Sequence, residues 1–406
     1  MRIAMVSEHA SPLAALGGVD AGGQNVHVAE LGTELARQGH DVTVYTRRDD
    51  KRLSPSVMME SGVRVAHVDA GPPRVMPKDE LFQHMDAFAA QLHNAFVADP
   101  PDVVHAHFWM SGYATLKTAR PLGIATVQTF HALGCEKRRH QGRMDTSPEE
   151  RIDHERTIAC SMDRVLATSS SEIFELRRMG ANPRCLKLVP CGVNLAAFDA
   201  TTGHVNVPRK QKYRIVSLSR LVERKGIADV IVALAQLPET ELIVAGGGEA
   251  ADLRTDPEAM RLRRIARGAG VADRVRFLGR IAHCEVPKLL RDADVVVCTP
   301  WYEPFGMVPL EAMACRVPVV ASAVGGLNDT ILDGVTGFHV SPRDPEAIAE
   351  RVARLLASAD LRRSFGEAGR QRVAARYTWQ RIAKDTLRAY RGLGQVTRHV
   401  AGAHLA

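Results

Sequence analysis

The sequence has no Cys-x-x-Cys pair, and its seven cysteines are scattered and odd in number. That excludes a disulfide framework or a cysteine zinc site and fits reduced thiols in a cytoplasmic protein. No apolar run approaches the ~18 residues a membrane helix requires. Met1-Arg-Ile-Ala-Met-Val6 is too short for the apolar core of a signal peptide and reads as a first strand. Low-complexity segments and RNA- or DNA-binding motifs are missing too. The formal charge of +7 suits anionic small molecules or an anionic surface, but it is too diffuse to imply nucleic acid.

What is present is length and alternation. The chain has 406 residues, 45% of them hydrophobic, enough for two domains with a core each. Short apolar runs predict strands at 2–7, 41–46, 63–68, 103–106, 124–129, 164–168 and 185–189. Helical patterns at 26–38, 79–98 and 152–161 lie between them. From Tyr213 the pattern restarts, with strands near 213–218, 240–245, 274–278, 293–298, 317–321 and 336–340. This alternation implies βαβ units, parallel sheets and an α/β class. Residues 194–212 are polar and broken by Gly and Pro, which predicts an interdomain linker. The domains are expected at 1–198 and 207–377. They read as two doubly wound, Rossmann-like domains facing across a cleft. Ligands of such sheets bind beyond the carboxyl ends of the strands.

Glu303-Pro-Phe-Gly-Met-Val-Pro-Leu-Glu311 follows the buried run 293–300 and opens a helix. Two carboxylates therefore sit at a strand's carboxyl edge beside the N–H groups of a helix start. Carboxylates accept from sugar hydroxyls and helix N–H groups donate to phosphate. A sugar nucleotide asks for both. The bland alternative is a solvated Glu303 and a favourable first-turn charge at Glu311. Ser219-Arg220-Leu-Val-Glu-Arg-Lys225-Gly226 follows the strand 213–218. Arg220 and Lys225 can neutralise a diphosphate as it leaves. Gly246-Gly-Gly-Glu249 ends another strand and lets a nucleotide approach the backbone at Gly247.

In the first half, Gly17-Gly-Val-Asp-Ala-Gly22-Gly23-Gln-Asn25 precedes a helix. Such a loop also fits a dinucleotide oxidoreductase. The spacing is not Gly-x-Gly-x-x-Gly, and the second strand ends in Arg47-Arg48 rather than an acid. Those arginines keep a phosphorylated nicotinamide cofactor open as a rival. Asp292-Ala-Asp294 is the one Asp-x-Asp, but it precedes its strand, so it reads as a solvated junction and no metal is expected.

With Ser7-Glu-His9-Ala-Ser-Pro-Leu13, His105-Ala-His-Phe-Trp-Met-Ser-Gly112, Thr129-Phe-His131 and Pro190-Cys-Gly-Val193, these segments carry a family resemblance. The chain resembles the retaining GT-B glycosyltransferases of family 4. Within them it is most similar to the D-inositol-3-phosphate glycosyltransferases of mycothiol synthesis, and more distantly to sucrose-phosphate synthases. The resemblance implies retaining transfer of a hexose from a nucleotide-diphosphate sugar, a UDP-sugar first, to a small anionic acceptor. A sugar-nucleotide epimerase and GDP-mannose-dependent transfer to a lipid-linked acceptor are the alternatives. It implies no cofactor beyond the donor, and a monomer or homodimer. It places Gly22, Gly23, Arg220, Lys225, Gly247, Arg280, Ile281, Glu303, Phe305, Gly306, Met307, Val308 and Glu311 on the donor. Glu311 would hold the ribose diol and Glu303 the sugar hydroxyls. His131, with Arg220, Lys225 and Glu303, would serve the reaction, positioning the sugar rather than acting as a general base. His9, Asp20, Asn25, Lys78, Phe108, Ala132 and Arg151 would line the acceptor side. The final helix, within 378–406, would return to the first domain.

Two departures stand out. The family's acceptor-binding Tyr is Phe108 here, and the Thr after its cleft His is Ala132. Each loses a hydroxyl, and a hydrogen bond to a charged phosphate contributes about 1.5–3 kcal/mol. The expected acceptor is therefore anionic but not simply inositol 3-phosphate. The basic stretch Lys137-Arg-Arg-His140 with Arg143 either adds to the anion site, touches an acidic membrane surface peripherally, or is merely solvated.

Overall fold

A computed structural model describes residues 1–14, 22–199 and 207–393. Asp20 and the glycines at 17 and 18 lie outside these residues, as does the tail from 394. The chain divides into two compact units. Among the described residues the first comprises 1–14, 22–190 and 379–393, and the second 191–199 and 207–378.

The first unit holds β1 (Arg2–Val6), β2 (Asp41–Arg47), β3 (Ser56–Met58), β4 (Arg64–Val68), β5 (Val103–His107), β6 (Ala125–Thr129), β7 (Arg164–Ala167) and β8 (Leu186–Leu188). Their order is β3-β4-β2-β1-β5-β6-β7-β8, and only β3 runs antiparallel to its neighbour. β5 and β6 are buried at every residue, because helices cover both faces of a parallel sheet. The helix Trp379–Tyr390 belongs to this unit. Its buried Trp379, Ile382, Ala383, Thr386, Leu387 and Tyr390 recur at helical spacing. That stripe meets the helix Gly23–Arg37, where the Trp379 ring stands 5.3 Å from that of His27.

The second unit holds β9 (Tyr213–Leu218), β10 (Thr240–Ala245), β11 (Val275–Gly279), β12 (Val295–Cys298), β13 (Val319–Ser322) and β14 (Gly337–Val340). The order is β11-β10-β9-β12-β13-β14, with every pairing parallel. Each sheet reverses its winding once, at β1/β5 and at β9/β12. Those two points are where doubly wound sheets open a crevice for ligand.

Three expectations change. The region 194–212 is not all linker, because Leu195–Asp199 is a helix whose Phe198 is buried and whose Asp199 meets Arg370 at 2.5 Å. The long helix at 79–98 becomes two 3-10 turns, Lys78–Glu80 and Phe82–His84, before the α-helix Met85–Ala98. The basic stretch 137–143 is not a loop but largely the helix Gly134–Gln141.

Candidate functional site

In the second unit, the loops after β9 and β12 converge. Gly226 adopts φ +70°, and a Cβ there would stand 1.9 Å from the Thr299 carbonyl oxygen. Only glycine lets the two loops come this close. The approach sets the Lys225 ammonium against the Glu303 carboxylate in a direct ion pair, each side chain 15% exposed. The Glu303 backbone is gripped in turn. Its carbonyl accepts from Gly326 N–H at 3.0 Å, and Gly325, at φ +49°, leaves no room for a Cβ against it. Burial alone would raise the Glu303 carboxyl. The Lys225 ammonium, helped by Arg224 and Arg220, outweighs burial and holds it below the ordinary carboxylate value. Burial also pushes the neighbouring Cys298 thiol up to about 12, so it is no nucleophile.

Beyond Glu303, Phe305 is buried and Gly306 caps the helix Met307–Ala314 at φ +89°. The first-turn N–H groups, including those of Met307 and Val308, have no partner within the helix and can meet an anion. Glu311, one turn in, lies 3.6 Å from His283 Nε2. Gly246 ties the end of β10 to β11 through the Gly279 carbonyl at 2.7 Å, and Arg280 N–H donates to Gly248 at 2.9 Å. Gly247, Arg280 and Ile281 thus share the carboxyl edge of the sheet with Arg220, Lys225 and Glu303.

In the first unit, β1, β5 and β6 end beside one another. Gly22 and Gly23 start the helix Gly23–Arg37, and a Cβ on Gly22 would meet open space. Phe108 and His131 leave β5 and β6 with left-handed backbones, φ +80° and +62°. Buried Gln128 braces both turns, donating to the carbonyls of Phe108 and Thr129 at 3.0 Å each. The His9 ring stands edge-on to Phe108 at 4.9 Å.

His131 belongs to a histidine network. Its Nε2 lies 3.0 Å from His107 Nδ1, and His105 joins Tyr390 and Thr129 at 2.7 and 2.9 Å. Burial lowers His27 to about 4 and His105 to about 3, and it holds His107 and His131 well below the ordinary imidazole value. The rings are neutral at physiological pH, and His131 is too weak a base to be an efficient proton acceptor. His27, His107 and His131 bring ring nitrogens within 4.8 Å of one another. Among the described residues these three imidazoles form the cluster of His, Cys and acidic side chains that could meet at one metal ion.

Several expected ligand residues already have protein partners. The Arg151 side chain is 3% exposed; it donates to Glu155 at 2.7 Å, to Ser147 at 3.2 Å and to the Ala132 carbonyl at 2.8 Å. It also underlies the Phe108 ring at 5.0 Å. It therefore shapes the turns carrying Ala132 and Phe108, rather than reaching outward. Asn25 closes its own loop, donating to Ser11 O and accepting from Gly22 N–H, both at 2.9 Å. Lys78 is half-buried in the turn Lys78–Glu80, which meets Thr146 through Asp79 at 2.5 Å. In the basic helix, Lys137 pairs with Asp145 at 2.9 Å and Arg139 with both oxygens of Glu175 at 3.0 Å. Arg138 and Arg143 of the same stretch are exposed.

The rival chemistries lose their residues. Arg47 donates to the carbonyls of Arg48, Pro72 and Arg74, and Arg48 pairs with Asp69, so neither awaits a cofactor phosphate. At the junction before β12, Asp292 is 53% exposed and Asp294 18%, and both are paired. Asp292 pairs with fully buried Arg214, and Asp294 with Arg209 at 2.7 Å. Glu8 was not among the expected site residues, yet its buried carboxylate lies 2.6 Å from His9 Nδ1. Only its neighbour, a histidine at a strand end, pointed there.

Comparison with known proteins identifies the family and agrees with the two-sheet fold. Residues 21–197 match the model of Glycosyltransferase Family 4, and residues 202–372 that of Glycosyl transferases group 1. A D-inositol 3-phosphate glycosyltransferase of Salinispora tropica is 34% identical over 96% of this chain and 85% of its own. One from Catenulispora acidiphila is 35% identical over 96% and 95%. The solved sucrose-phosphate synthase of Thermosynechococcus elongatus superposes with a TM-score of 0.85 at 32% identity, covering 99% of this chain and all of that one. Anabaena HepE in complex with UDP-glucose shares the fold, at a TM-score of 0.74 and 20% identity over 96% of this chain and all of that one. No described helix is long and apolar enough to cross a membrane. With its two Rossmann-like sheets and its matches along nearly its whole length, the chain belongs to the family 4, group 1 glycosyltransferases of GT-B fold and is a glycosyl-transferring enzyme.

Proposed function

We propose that this enzyme moves a hexose from a UDP-sugar to a small phosphorylated acceptor in the cytoplasm, with retention of anomeric configuration. The observation that carries the donor half is the Lys225–Glu303 pair at the β9/β12 reversal, with Arg220 and Arg224 around it. A diphosphate would compete for Lys225 and free Glu303 to accept from sugar hydroxyls. Arg220, Lys225 and the N–H groups of Met307 and Val308 then stabilise charge on the leaving diphosphate, with no need of a metal. Glu311 holds the ribose diol, and the backbone at Arg280 and Ile281 meets the base. Neutral His131 positions the transferred sugar, and the leaving phosphate itself takes the acceptor proton. The acceptor half is supported by the inositol-phosphate and sucrose-phosphate names of the relatives and by Lys78, which the family resemblance assigns to the acceptor side.

A thermal-shift panel of UDP-, GDP- and ADP-sugars tests the donor. A ligand at a hundred times its Kd stabilises by about 2.7 kcal/mol. Stabilisation by UDP-sugars alone, followed by transfer that keeps the anomeric configuration by NMR, is the expected result. Preference for another nucleotide, or donor consumption without any acceptor as an epimerase would show, overturns the reading.

A further inference from the structure

Glu8 follows β1 and is 1% exposed. Its Oε1 lies 2.6 Å from His9 Nδ1. Its Oε2 accepts the hydroxyl of Ser111, from the helix Trp109–Thr118, and the Ser111 oxygen accepts the Glu8 N–H at 3.1 Å. Both carboxylate oxygens are thus engaged, and the group cannot turn away from His9. An ionised carboxylate only accepts hydrogen bonds. The proton in the contact with His9 therefore sits on Nδ1. A neutral ring protonated there presents a bare lone pair at Nε2. The His9 side chain is 10% exposed and stands edge-on to the Phe108 ring at 4.9 Å.

A bare ring nitrogen takes a hydroxyl proton well and meets phosphate oxygen badly, since it has nothing to donate. The neighbouring Phe108 ring offers phosphate no hydrogen bond either. We propose that Glu8 is a positioning residue that fixes His9 as the Nδ1–H tautomer, so that Nε2 accepts a hydrogen bond from a hydroxyl, not the phosphate, of the acceptor. The assignment of that hydroxyl to the acceptor rests on the proposed function; the tautomer does not. The ligand class is accordingly a polyol or sugar phosphate whose hydroxyl face turns toward His9 and whose phosphate lies elsewhere, toward Lys78.

The test has two arms on the full chain. In the first, histidine ¹⁵N NMR identifies His9 by its loss in His9→Gln and reads its tautomer without any substrate. A protonated Nδ1 and bare Nε2 in the wild type, with mixed tautomers in Glu8→Gln, is expected. A proton on Nε2 in the wild type overturns the proposal even if Glu8→Gln fails to fold. In the second arm, transfer from UDP-glucose is measured with inositol 3-phosphate and glucose 6-phosphate. Losing a hydrogen bond of this kind weakens binding roughly ten- to hundredfold. Glu8→Gln and His9→Gln should raise the acceptor KM by that factor and leave UDP affinity unchanged. An unchanged acceptor KM, or an equal loss of UDP affinity as a general loop defect would cause, sinks the proposal. Wild-type protein that binds no nucleotide sugar refutes the proposed function instead, and the tautomer still decides the role of Glu8.

Discussion

Replacing Lys225 by Ala tests the donor edge most directly, because it leaves Glu303 buried without its partner. Removing one member of a buried ion pair costs about 3–5 kcal/mol. Here both side chains keep 15% exposure, and Arg220 and Arg224 still face the carboxylate. The lower end, about 3 kcal/mol, is therefore expected. For a unit of this size that is a fall in Tm of about 6–12 °C. The pH dependence carries the sign. In the wild type the Glu303 carboxyl lies below its ordinary value of 4.5, so its contribution is present above that pH and is lost as pH falls through the lower folded value. Without Lys225, burial raises the carboxyl instead. The defect then belongs to the charged form and should shrink as pH falls toward 4.5. Adding Glu303→Gln to Lys225→Ala should recover part of the lost stability, since the unpaired charge disappears with its partner. Turnover should not recover, and the loss of one preorganised cation should lower kcat by about 10²–10³. Thermal melts across pH and a coupled assay for released nucleotide read both effects. A Lys225→Ala protein that melts like the wild type at every pH, or turns over within threefold of it, would refute the reasoning.

Arg151→Ala should act on the fold before it acts on ligand, costing about 3–5 kcal/mol because Glu155 is left in the interior with Gly134 N–H and little else; a normal melt with weakened acceptor binding would restore Arg151 as a ligand. Phe108→Tyr with Ala132→Thr should improve inositol 3-phosphate binding, measured by calorimetry, about tenfold or more, and no gain would show that other walls of the pocket decide. Transfer should continue in chelator; loss that magnesium or manganese restores would overturn the metal-free chemistry. Cys298 should resist iodoacetamide at pH 8 in the folded protein while exposed Cys160 and Cys284 react, as mass spectrometry of the labelled peptides would report.

Most of the sheet was legible because parallel strands buried on both faces are uninterrupted apolar runs. β5 and β12, Val103–His107 and Val295–Cys298, are of that kind. β3 was not, since three residues of mixed polarity at an edge carry no period. The residues proposed to meet the donor could be placed at one sheet edge because they sit where strands end and helices begin, and the strand pattern locates those points. The partners of charged residues could not. Arg151 and Arg139 look like free cations until the fold brings Ala132 O and Glu175 beside them. Glu8 was hidden for the same reason, its second partner, Ser111, being 103 positions away. A sequence shows which charges exist, but the neutralising contacts are products of tertiary structure.

The backbones of Phe108 and His131 set a limit on stabilising this enzyme. Phe108, at φ +80° and ψ +160°, occupies a region that is nearly glycine's alone, and His131 is left-handed beside it. Such conformations cost of order 1–3 kcal/mol each. Glycine would relieve that strain, but at Phe108 it would also empty a buried ring site, which costs about 3–5 kcal/mol. Either glycine would also remove the ring under which Arg151 packs or the imidazole that meets His107. The strain at these two adjoining turns therefore has no simple release, and a stabilised version should be sought by leaving both untouched.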